Sequence, residues 1–194
     1  MMRGYNFSEQ IRRVLAGARE EAVRMHHEYV GTEHLLLGLI RERDGGSATV
    51  LRNLDIAPDR IRQKLEETLV PGPDLRTGPD LPYTSRAKKV LELGMDECER
   101  SHTAVFDTAQ LLVALCAEGK GIAAETLAWA GLTTDVARAA VAQITGVTPE
   151  APPPAIHVPD IVAITIEIQR ADGSVKREVF HGVVAALEYL ARQP

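Results

Sequence analysis

Apolar positions in the first 145 residues recur every three or four places, the spacing that lines one face of an α-helix. Ile11, Val14, Leu15, Ala18 and Ala22 form one such stripe, and Asn6 with Glu9 three residues on reads as a capping box opening a helix over about 7–26. Gly31 and Thr32 begin a second helix, EHLLLGLIRE. A shorter one follows Gly45 and Gly46 and ends near Leu54, and Pro58, at a first-turn position, opens a fourth over about 58–69. The scheme then returns: Thr84 starts 85–101, Asp107 or Thr108 starts 109–118, Gly121 precedes 122–130, and Thr133 caps 134–145. Past a proline-rich stretch the period drops from 3.6 to 2, with Val162, Ile164, Ile166 and Ile168 alternating with Ala163, Thr165, Glu167 and Gln169. ADGS then reads as a hairpin turn, VKREVF as the returning strand and GVVAALEYLARQ as a closing helix.

The return is a duplication. Sliding the sequence by 76 residues aligns 7–69 with 83–145 without a gap, and 15 of the 63 pairs are identical, among them Glu21/Glu97, Arg24/Arg100, His26/His102, Thr32/Thr108 and Gly45/Gly121. Chance would give roughly four. PGPDLRTGPDLP, which cannot continue a helix, joins the copies. The expected fold is therefore all-α over 5–146, a pseudo-two-fold tandem of two four-helix units with eight helices in all. An extended linker over 147–159, with five prolines, leads to a small ββα extension over 160–194. So short an extension has little core of its own, so it should dock on the helices, pair with another chain or meet a partner.

Composition narrows the function. The formal charge of −5, from 22 Lys and Arg against 27 Asp and Glu, offers no basic field for nucleic acid or anionic lipid. Cys98 and Cys116 are too few for a disulfide scaffold, and both lie in apolar helical runs. With no signal-peptide core and no apolar run of membrane-spanning length, the expectation is a cytoplasmic protein. At 4% aromatic, the core must be aliphatic, and Trp129, near Leu127 and Leu132, reads as part of it. His26, His27 and His34 with Glu28 and Glu33 match neither HExxH nor a CxxC pair, so no metal site is expected; the repeated His26/His102 reads as a structural residue at a helix C-terminus. No nucleophile stands beside a base, and no GxxxxGK[ST] occurs, AEGKG at 117–121 having the wrong spacing. The chain therefore reads as no enzyme, with no catalytic residues and no cofactor.

FSEQIRRVLAGAREEAVRMHHEYVGTEHLLLGLIRE, followed by YTSRAKKVLELGMDECERSH, resembles the duplicated N-terminal domain of Clp ATPases, closest to the ClpC type, over about residues 5–146. The resemblance implies a domain that sits ahead of ATPase modules in Clp unfoldases and receives substrates and adaptors; with no GxxxxGK[ST] here, a free-standing module is the expectation. It also implies a phosphoarginine site in each copy at the start of the second helix. There a carboxylate would take the guanidinium, while helix N-terminal amides and a hydroxyl would take the phosphate. Carried over, the first site comprises Ser8, where the family has Thr, with Thr32, Glu33 and His34. In the second, Thr84 and Thr108 keep their hydroxyls, but Asp107-Thr108-Ala109-Gln110 lacks the carboxylate at 109, so that site is expected to be weak or lost. Tyr83 stands where related domains line a groove for cyclic peptides; a hydrophobic staple at a helix start is the plainer reading.

Three functions fit: an adaptor or accessory subunit that captures tagged substrates or docks on a Clp unfoldase or protease ring; a decoy for cyclic-peptide ligands; and an assembly protein whose ββα tail pairs edge strands, for instance in a homodimer.

Overall fold

The computed structural model describes residues 6–73 and 81–146 and two strands, 164–169 and 175–180. The chain divides into two units, Met1–Glu150 and Ala151–Pro194. Among the described residues the first unit holds eight helices: α1 (Glu9–Arg24), α2 (Thr32–Arg41), α3 (Gly46–Asn53), α4 (Pro58–Thr68), α5 (Ser85–Arg100), α6 (Thr108–Glu118), α7 (Ile122–Trp129) and α8 (Thr134–Thr145). Two short strands, β1 (Asn6–Phe7) and β2 (Val105–Phe106), pair in parallel. In the second unit β3 (Ile164–Gln169) pairs antiparallel with β4 (Val175–Phe180), in a register from Ile164 opposite Phe180 to Gln169 opposite Val175. The ADGS turn, the linker 147–159 and the expected closing helix lie outside the described residues.

The helix boundaries follow local chemistry. Ser8 and Thr84 cap α1 and α5, each hydroxyl accepting the backbone N–H three residues on, from Ile11 and Ala87 at 3.1 Å. The cap of α1 is thus Ser8, not Asn6, whose backbone belongs to β1 instead. His26 and His102 take left-handed φ values of 57° and 52° one residue past the C-caps of α1 and α5. The next residue closes each turn, His27 N–H to Ala22 O and Thr103 N–H to Cys98 O, both at 2.9 Å. The repeated histidine is a helix-ending residue, but it acts through this backbone turn rather than only through helix charge.

The two copies interlock. α1 lies along α2 and α5 along α6, but α3 packs mainly on α6 and α8 of the second copy, and α7 reaches back onto α2 and α4 of the first. The pseudo-two-fold repeats the central crossing contact: Ser8 N–H to Phe106 O and Thr84 N–H to Val30 O are both 3.0 Å. Phe7 pairs with Phe106 as Tyr83 does with Val30, yet the second pairing is a single bridge, because Pro82 stands where Asn6 donates its N–H to Ala104 O. Buried carboxylates pin the ends, Glu21 with Arg24 at 2.7 Å and Arg62 at 3.5 Å, and Glu97 with Arg138 at 2.5 Å and Arg100 at 3.5 Å.

Close crossings demand small residues. A Cβ on Gly38 would lie 2.5 Å from the Val14 carbonyl oxygen, which is backbone and has no room to swing aside. At the equivalent α5/α6 crossing the small residues trade places: Ala114 stands for Gly38, and Gly94 for Ala18, its missing Cβ leaving room for the Phe106 ring. Gly38→Ala should therefore lower stability by about 1–3 kcal/mol despite the better helix propensity of Ala. A urea midpoint unchanged or raised would show that the crossing relaxes.

Candidate functional site

The start of α2 is held by a chain of hydrogen bonds. Gly31 N–H donates to His34 Nδ1 at 2.9 Å, His34 Nε2 lies 2.9 Å from His27 Nδ1, and His27 Nε2 lies 2.9 Å from Val70 O. The ends fix the protons. A carbonyl only accepts, so His27 carries its proton on Nε2; His27 Nδ1 then accepts from His34 Nε2–H, and His34 Nδ1 accepts from Gly31. Both rings are fully engaged by these bonds. Burial, and next the neighbouring His27, push the His34 pKa down to about 4. In the second copy Gln110 makes the equivalent cap, accepting from Asp107 N–H at 3.2 Å, and Thr103 replaces His27.

His27, Glu33 and His34 bring ligand-type atoms within 4.8 Å of one another. The proton order argues against a metal there. A cation on His34 Nε2 would move that ring's proton to Nδ1, to face the Gly31 N–H, and the cap would be lost.

Glu33 folds back over its own helix start, against Gly31, and its carboxylate accepts from the Thr32 hydroxyl at 3.4 Å. With a side chain 17% exposed, it borders a cavity of about 340 Å³ walled also by His26, His27, Glu28, Tyr29 and Thr84, with Gly72 and Pro73 from the strap after α4. The Gly72 N–H is tied to Met25 O at 2.8 Å, which seats that strap beside the end of α1. Tyr29 and the strap were not singled out from sequence; the one available signal was an aromatic in the polar loop between α1 and α2.

The crossed pairing redistributes the residues singled out from sequence. Ser8, grouped there with Thr32, Glu33 and His34, is instead beside the start of α6, where its hydroxyl donates to Asp107 Oδ1 at 2.9 Å. Thr84, grouped with Thr108, is beside Val30–Glu33 and lines the Glu33 cavity. Each candidate site is thus assembled from both copies. Thr32, His34 and Thr108 are buried, and the Thr108 hydroxyl accepts from Ser47 N–H at 3.2 Å. Ala109 is buried as well, so close under the start of α3 that a Cβ on Gly46 would lie 2.7 Å from its methyl. The α6 counterpart is filled by the chain itself: Asp107 holds Ser8, and α3 covers position 109.

Tyr83 is half-buried with the Arg19 guanidinium 5.2 Å over its ring, and desolvation raises its phenol pKa. Trp129, expected in the core, is 51% exposed, with Arg60 and Lys64 at 5.5 and 5.7 Å from its ring. It sits at the tip of α7 where that helix meets α4, a crossing between the copies that sequence spacing does not reveal.

Residues 6–130 match the Clp repeat (R) N-terminal domain. The chain belongs to the Clp repeat N-terminal domain family. It is 42% identical over 139 residues to the ATP-dependent Clp protease ATP-binding subunit ClpC of Staphylococcus aureus (strain USA300), covering 72% of this chain and 17% of that protein. It is 40% identical over 140 residues to the negative regulator of genetic competence ClpC/MecB of Bacillus subtilis (strain 168), with the same coverage. This Clp repeat chain thus spans about a sixth of the length of those relatives. In fold it matches the N-domain of ClpV from Vibrio cholerae, with a TM-score of 0.62 and 16% identity over 75% of this chain and 89% of that one. It also matches the N-terminal domain of the chaperone ClpD from Arabidopsis thaliana, at 0.60 and 21% over 73% and 95%. No helix among the described residues is long and apolar enough to cross a membrane.

Proposed function

We propose that this Clp repeat domain is a non-catalytic module that receives substrates or adaptors for a Clp unfoldase or protease, and that it does so through the open cavity at Glu33. The supporting observation is the asymmetry between the pseudo-equivalent sites: a carboxylate at the mouth of a cavity at α2, against a buried methyl and an internal Ser8–Asp107 bond at α6. Glu33 offers the two oxygens that a guanidinium binds in a fork, so the ligand class is a segment carrying an arginine-type tag, of which phosphoarginine is the form implied by the resemblance. Thr84, from the other copy, faces the same cavity.

Calorimetric titration of arginine-bearing and phosphoarginine-bearing peptides tests this. At least one form should bind with one site per chain, and Glu33→Ala should weaken it at least tenfold, the size of a lost charge-assisted pair. Ala109→Glu should add no second site, since its side chain would meet α3. Wild-type binding undiminished in Glu33→Ala, or absent for both peptides at millimolar concentration, would remove this reading.

A further inference from the structure

Trp129 is the one tryptophan of the chain, and the fold leaves it 51% exposed at the last position of α7. Two cations of α4, one turn apart, lie against it. The Arg60 guanidinium is 5.5 Å and the Lys64 ammonium 5.7 Å from the ring centroid, both within cation–π range. Among the described residues neither cation forms an ion pair, although their neighbour Arg62 pairs with Glu21 and Glu66 at 3.5 Å. The acids of the two helices are placed elsewhere. Glu66 is shared between Arg62 and Arg24, Glu67 accepts from Gln63 at 3.1 Å, and Asp59 and Glu125 stand in the first turns of α4 and α7.

The fold does not require this cluster. The equivalent positions, 76 places away in the duplication, are Asn53 on α3 and Val136 and Ala140 on α8, and α3 packs on α8 without an aromatic or a cation at any of them. Because α4 belongs to the first copy and α7 to the second, the cluster exists only where the two copies meet.

Its two parts select a ligand. An exposed indole gains by being covered with apolar surface, and two cations without carboxylate partners gain from charge-assisted bonds. The chain carries a formal charge of −5, so no long-range field gathers anions, and only a ligand that touches ring and cations together is held. One ring and two cations are too few to track the phosphates of a nucleic-acid strand, which leaves a protein segment.

We propose that Trp129, Arg60 and Lys64 form a docking surface for an acidic protein segment, one that lays an aromatic side chain on the indole between carboxylates that pair with the two cations. None of the three residues lines the Glu33 cavity, so this is a second contact on the same domain.

The test titrates the full chain with the peptide Asp-Glu-Phe-Glu-Asp, with forms carrying Gly for Phe or Lys for every acid, and with a thymidine oligonucleotide. Emission from the sole tryptophan reports the contact directly. The acidic phenylalanine peptide should shift it saturably, and the lysine form should bind about tenfold weaker or worse. Salt should weaken the complex, since the pairs are only partly buried. Arg60→Ala/Lys64→Ala should remove the shift, and Trp129→Asn should lose binding followed by anisotropy of the fluorescein-labelled peptide. Both variants should keep the wild-type circular dichroism, because asparagine and alanine already serve at the equivalent positions 53 and 140. Absence of a saturable shift at millimolar peptide, equal binding of the lysine form, or undiminished binding in Arg60→Ala/Lys64→Ala would overturn the proposal. Tighter binding of the oligonucleotide than of the acidic peptide would also overturn it, in favour of a single-stranded nucleic acid.

Discussion

Separated at the segment between the copies, residues 1–73 and 81–146 should each fail to fold alone and should regain helical structure when mixed. α3 depends on α6 and α8 for most of its packing, and α7 depends on α2 and α4 for much of its own. Without the other copy, Val50 and Leu51 on α3 and Leu127 on α7, all buried in the whole domain, would return largely to water. At roughly 2 kcal/mol for each such side chain, that loss alone approaches the few kcal/mol by which a small domain is stable. The backbone bonds of Ser8 to Phe106 and Thr84 to Val30, and the Ser8–Asp107 and Thr108–Ser47 bonds, would go as well. Circular dichroism of each fragment should show no cooperative thermal transition, and an equimolar mixture should recover one. A cooperative transition in either fragment alone would mean that the copies are independent bundles, contrary to the packing.

This interlocking marks the limit of what the residue pattern could deliver. Helical period and capping residues are local properties, so the eight helices and their ends were legible to within a few residues, and the duplication was legible because identical chemistry recurs 76 places apart. Which copy α3 joins is a matter of long-range packing, and every apolar stripe is satisfied by either choice. The grouping of Ser8 with Glu33 failed for that reason, since nearness in sequence suggested one copy while the parallel β1–β2 pairing delivers Ser8 to the other. Trp129 misled similarly: its neighbours Leu127 and Leu132 are buried, but one position along a helix turns a side chain by about 100°. Position 109 was different. Its missing carboxylate was plain in the sequence, whereas its burial beneath Gly46 follows only from where α3 packs.

Acid should destabilise this domain through His34, and His34→Gln should remove that part of the effect. The folded His34 has a pKa near 4 against an ordinary 6.5, with burial the larger cause and His27 the next, while Glu21 opposes and Arg24 assists the shift. Between those two pH values the unfolded chain holds a proton that the folded chain refuses, so stability falls as pH drops from 6.5 toward 4, by an amount on the order of 3 kcal/mol. Above 6.5 neither state is protonated at this position, and stability is level with respect to it. The bond pattern gives the physical reason: a proton added to His34 Nδ1 sets two donors face to face at His34–Gly31. Glutamine keeps the cap without the titration, as Gln110 already does on Asp107 N–H in the other copy. At pH 7 His34→Gln should cost about 1 kcal/mol for the lost bond to His27. By pH 4.5 the order should reverse, with the variant unfolding at higher urea than the wild type. Carboxylates that titrate in the same range are common to both proteins and leave the difference between them untouched. Parallel loss of stability in the two would place the acid sensitivity elsewhere, with the Glu21 and Glu97 ion pairs the next groups to vary.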